Sequence, residues 1–88
     1  MDLDELELEL ADLARRLEIE VRHVRYEGGG GLCVIDGRRV LMVNDLADRA
    51  ERVATMAEAL AEAPELDDMY LVPEVRRFIE RCTEEGSP

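Results

Sequence analysis

Glu58 and Glu62 stand four residues apart in a stretch of helical character, so one turn of helix brings both carboxylates to the same flank. Two carboxylates at that spacing suit a hard divalent cation such as magnesium, calcium or manganese. Wheel arithmetic sets the pair about a third of a turn from the centre of the apolar stripe, beside Glu51, where the plain reading is a solvated acidic flank. A second arrangement involves His23, the only histidine, and Cys33. On neighbouring strands they would form a thiol–imidazole pair, a nucleophile with its base. A reactive thiolate needs an accessible electropositive pocket. Arg22, Arg25, Arg38 and Arg39, the basic island of the chain, are the residues able to line one. The plain reading of His23, set among arginines, is a surface imidazole. The only serine, Ser87, falls at the end of the sequence, which excludes a serine triad. The glycine run at 28–31 lacks the helix directly after it, and the Lys with Ser or Thr, that a phosphate-cradling loop requires. It reads as a connection between strands and as a place where another backbone comes close. No catalytic residue and no cofactor is assigned.

The elements that must position these residues follow from periodicity. Residues 2–18 predict a helix, with Leu3, Leu6, Leu10, Leu13 and Leu17 at alternating spacings of three and four. That seam either lies on the chain's own sheet or is shared between two copies. Residues 19–26 predict a strand whose alternation slips at Arg22-His23, implying a bulge. Residues 32–35 and 40–43 predict a hairpin turning at Asp36-Gly37. Its parity puts Cys33, Ile35, Val40 and Met42 on one face and Leu32, Val34, Leu41 and Val43 on the other, so both faces are apolar and both need cover. Asp45 is the expected N-cap of the next helix, with Asp48 in a capping-box position. Leu46, Ala50, Val53, Ala57, Leu60 and Ala61 form its buried stripe. Residues 69–72 predict a short fourth strand. Pro73 opens a last helix with Val75, Phe78, Ile79 and Cys82 on one side.

The hairpin running into Asn44, the capped helix, and Thr55-Met56-Ala57 ahead of a four-residue spacing of ligand-type side chains resemble the zinc peptidases of the ImmA/IrrE type over residues 31–62. In that register Glu58 stands where the first zinc-binding histidine belongs, Ala59 where the catalytic glutamate belongs and Glu62 where the second histidine belongs. Leu60 matches, and Ala61 replaces a glycine. The resemblance implies a zincin-like hairpin and helix without the HExxH motif. A zinc hydrolase needs imidazoles and a carboxylate base, and Ala59 supplies no base. What remains implied is a degenerate metal-dependent hydrolase or a divalent-metal binder at Glu58 and Glu62. The whole chain is also similar to a group of small uncharacterised bacterial proteins. That likeness rests on Gly30-Gly31-Leu32-Cys33, residues 37–41, residues 57–60, residues 70–73 and Val75-Arg76, and it implies no activity.

The 88 residues carry a net charge of -11, and all eleven basic residues are arginine. Such a chain, with no long basic face, is a poor partner for nucleic acid or an anionic membrane surface. Tyr26, Tyr70 and Phe78 are the only aromatic residues, so the core must be aliphatic. Cys33 and Cys82 read as two reduced, mostly buried thiols, with a bridge or a shared metal as the alternative. No signal-peptide pattern or bilayer-length apolar run is present, so the cytoplasm is the expected location.

These observations define a small α+β domain over residues 1–82, with a polar tail at 83–88. Its expected order is helix–strand–strand–strand–helix–strand–helix, with a three- to four-stranded, mostly antiparallel sheet and helices against it. A sheet apolar on both sides exceeds what three short helices can roof, so the expected function is a non-catalytic interaction or assembly module. Its expected partner is a second copy in a homodimer, or another protein. The surface would be the leucine seam (Leu3, Leu6, Leu10, Leu13, Leu17) or the sheet face of Cys33, Ile35, Val40 and Met42. The alternatives are the metal-dependent reading above and a small anionic ligand bound by the basic island.

Overall fold

The computed structural model of the chain describes residues 1–25, 28 and 30–85. The first element is the helix α1 (Leu3–Arg16). The Asp2 carboxylate caps it by accepting a hydrogen bond from the Glu5 backbone N–H at 2.9 Å. Its leucine seam turns inward: Leu6, Leu10, Leu13 and Leu17 are buried, and only Leu3 at the entry stays exposed. The helix stops at Glu18, whose φ of 60° is left-handed. The Ile19 N–H then reaches back to the Ala14 carbonyl at 2.8 Å, which satisfies an otherwise orphaned acceptor.

The strands β1 (Glu20–Val24), β2 (Gly31–Ile35) and β3 (Arg38–Asn44) form one sheet in the order β1-β3-β2. β2 and β3 are the expected antiparallel hairpin, with Cys33 opposite Val40. Asp36 and Gly37, with φ of 52° and 78°, make the tight turn that their identities signal. β1 runs parallel to β3, so the sheet is mixed. The bulge expected at Arg22-His23 does not form: pairing is continuous from Glu20↔Val40 to Val24↔Asn44. The apolar residues slip out of phase for another reason. Ile19 is a core residue placed before the strand, Val21 packs toward the helices, and Val24 is on the opposite face. Tyr26, included in that strand by the sequence reading, lies outside the described residues.

The helix α2 (Arg49–Leu60) starts later than expected. Asp48, not Asp45, is its N-cap, accepting from the Glu51 N–H at 2.9 Å. The intervening residues are held in a turn by Asn44, whose side-chain oxygen accepts from the Leu46 N–H at 3.0 Å and whose carbonyl accepts from the Ala47 N–H at 3.1 Å. Leu46 and Ala50 are therefore exposed, while Val53, Ala57 and Leu60 are fully buried. A 3-10 turn at Pro64–Asp68 follows.

The fourth strand expected at residues 69–72 is absent from the sheet. Its carbonyls instead meet arginine side chains: Arg16 donates to the Tyr70 carbonyl at 3.1 Å and Arg76 to the Met69 carbonyl at 3.3 Å. Leu71 anchors the segment in the core. The helix α3 (Pro73–Glu85) then buries Val75, Ile79 and Cys82. It takes in residues 83–85 of the stretch read as a tail, where the Thr83 hydroxyl donates to the Ile79 carbonyl at 3.1 Å. Residues 86–88 lie outside the described residues.

Val21, Leu32, Leu41 and Val43 join the helices in one aliphatic core. α1 and α2 lie on that side of the sheet, and α3 packs on α1 and α2. Arg49 ties the two inner helices through Asp4 and Glu7, and Arg52 lies 3.3 Å from Glu7. Among the described residues, no helix is long and apolar enough to cross a membrane.

Candidate interaction surface

The parity of the hairpin decides what each side of the sheet meets. Leu32, Leu41 and Val43 belong to the core, whereas Cys33, Ile35, Val40 and Met42 lie on the side away from it. On that outer side Cys33 is exposed, and Val24, Ile35 and Met42 are half-buried. Val40 is only 1% exposed although no helix covers it. Glu20, Arg22, Ile35 and Arg38 surround it, around a depression of about 260 Å³. The alkyl stems of these charged side chains form the cover, with their heads in water. Arg22 and Glu20 are joined as an ion pair, and this hydrogen bond raises the arginine pKa above its ordinary value. The outer face is thus an apolar patch with a charged rim along one side.

Of the basic island, Arg22 and Arg38 stay together around the depression beside Val40, and Arg39 is on the other side of the sheet. Arg22 is engaged by Glu20. Arg39 sits on the opposite side of β3 from Arg38, where its guanidinium donates to the Leu17 carbonyl at 2.6 Å and to both Glu65 oxygens at 3.0 and 2.6 Å. It thereby joins β3, the end of α1 and the 3-10 turn. Arg25 and Arg38 remain exposed. Strand parity separates Arg39 from Arg38, and carboxylates engage Arg22 and Arg39.

His23 and Cys33 do not meet. β3 runs between their strands, with His23 aligned to Val43 and Cys33 to Val40, residues of opposite parity. His23 Nδ1 instead lies 2.9 Å from Asp45 Oδ1. The thiol–imidazole arrangement expected from adjacent strands is removed by the strand order. Cys82 is buried while Cys33 is exposed, and no disulfide links them.

Glu58 and Glu62 are both exposed on the flank of α2. They border an open groove of about 260 Å³ together with Gly30, Gly31, Leu32, Thr55 and Ala59. Among the described residues, no group of three or more His, Cys, Asp or Glu side chains is gathered in metal-binding range.

The close backbone approach expected of the glycine run is present at Gly30, and the backbone it meets is that of β3. Gly28 lies at the end of β3, where the buried Asn44 amide donates to its carbonyl at 2.7 Å. Gly30 passes so close that a Cβ there would fall 2.3 Å from the Met42 carbonyl oxygen. Glycine in the run was the available signal; its partner strand was not.

Comparison of the chain with protein-family models, curated proteins and solved structures finds no match. The functional reading therefore rests on the surface itself.

Proposed function

We propose that this protein is a non-catalytic interaction module that associates with itself through the side of the β2–β3 hairpin that its helices leave open. The observation that carries this reading is the one-sided placement of α1, α2 and α3, opposite a face that presents Cys33, Ile35 and Met42. Apolar sheet surface left without a helix over it supports a docking role. The leucine seam adds little to it, because all but Leu3 is used in the chain's own core. Sedimentation of the purified chain over a broad range of concentration tests the reading. A mass that rises to that of a dimer supports it, and a monomer throughout overturns it.

A further inference from the structure

The two edges of the sheet differ in kind. β1 reads Glu-Val-Arg-His-Val and is defended by charge, whereas β2 reads Gly-Leu-Cys-Val-Ile with no charged residue, no proline and no bulge. Among the described residues only β3 pairs with β2. An edge with none of the usual protections is a template for another strand. In a two-residue turn of the Asp36-Gly37 type, the flanking residues exchange both backbone hydrogen bonds, and the pairs then alternate. Ile35, Cys33 and Gly31 therefore turn their backbone groups toward β3, while Leu32 and Val34 turn theirs to the open edge.

We infer that β2 pairs antiparallel with β2 of a second copy, about a two-fold axis through Cys33, to give a continuous six-stranded sheet. This rests on the self-association proposed above, but it places the contact at the β2 edge of the sheet and not on the open outer face. The outward groups are symmetric about Cys33, so Leu32 of each copy bonds with Val34 of the other. Side-chain shape is self-complementary in the same register. Val34 is 68% exposed, and in this register it faces the groove of the other copy that Leu32 and Ala59 line together with Thr55, Glu58 and Glu62. Ile35 falls opposite Gly31, where a Cβ would find nothing within 4 Å. The same residues thus meet on both copies, as a closed two-fold contact requires.

Cys33 then faces its own counterpart in a non-hydrogen-bonded pair, with Cα atoms about 4.5 Å apart, inside the range that a disulfide spans. This provides the test. Treating the full chain with diamide removes two electrons and two protons from the paired Cys33 thiols and leaves a covalent dimer, the diamide being reduced to its hydrazine. Wild type and Cys82→Ser are expected to cross-link, and Cys33→Ser is not. Val34→Lys, at an exposed site that the fold tolerates, is expected to sediment as a monomer. Because each copy carries -11, the association is expected to tighten as salt is added. A dimer that survives Val34→Lys and forms no Cys33 cross-link overturns edge pairing and leaves self-association standing. A wild-type monomer at every concentration overturns both.

Discussion

The carbonyl oxygen of Met42 occupies the space that a side chain on Gly30 would need: the two atoms would lie 2.3 Å apart. The contact lies where β2 begins, beside the Gly31–Met42 pair of the hairpin. Backbone on backbone leaves no flexible side chain to give way.

Gly30→Ala is therefore expected to destabilise the protein by about 1–3 kcal/mol, the range for forced overpacking. Gly31→Ala tests the specificity of that effect. Its Cβ meets nothing, but its φ of 155° disfavours a side chain, so a smaller loss is expected. Urea denaturation of the two variants measures both.

Glu18 ends α1 with a φ of 60°, a conformation that costs a non-glycine residue about 1–2 kcal/mol. Glu18→Gly relieves it at the cost of a more flexible unfolded chain, and a net gain of about 0.5–1 kcal/mol is expected. Thermal unfolding reads this as a raised midpoint. An unchanged or lowered midpoint would show that the side chain contributes more than the strain removes.

The Arg39–Glu65 pair gives a pH dependence. Hydrogen bonding to Arg39 holds the Glu65 pKa below its ordinary 4.5. The unfolded chain then binds the proton more readily than the folded one, so the contribution is complete above about pH 4.5 and is lost as pH falls through the lower folded value. Half of the glutamate surface is in solvent, so the effect is modest and salt-sensitive. Glu65→Gln is expected to lower stability at neutral pH and to flatten the profile in that acid window, as read from denaturation midpoints across pH.

Two leucines of α1 separate core from surface. Leu10 is 0% exposed and Leu8 72%. Leu10→Ala is expected to cost about 2–5 kcal/mol through the lost burial and the cavity left behind. Leu8→Ala, off the seam, is expected to stay within about 0.5 kcal/mol of wild type. Chemical denaturation distinguishes the two.

Local patterns read from the sequence hold wherever the residue's own neighbours along the chain set the outcome. The leucine spacing of α1, the Asp36-Gly37 turn and the facial parity of the hairpin are all of this kind. Each depends on helical or strand periodicity and on backbone freedom within a few residues. The expectation that one side of the hairpin would lack its own cover also came from parity together with chain length.

What tertiary structure alone decided was which distant groups meet. The Asn44 amide could reach the Gly28 carbonyl because the fold brings residues sixteen positions apart together, whereas the turn it makes with Leu46 and Ala47 is local. Arg16 and Arg76 could reach the carbonyls of residues 70 and 69 because helix packing brought them there. His23 and Cys33 were separated by β3, and Arg39 was drawn from its neighbours to Glu65, because strand order and side-chain pairing are long-range choices. Periodicity along a chain records which face a residue takes. It carries no record of what that face will touch, since a contact depends on two segments whose meeting is settled only when the whole core packs.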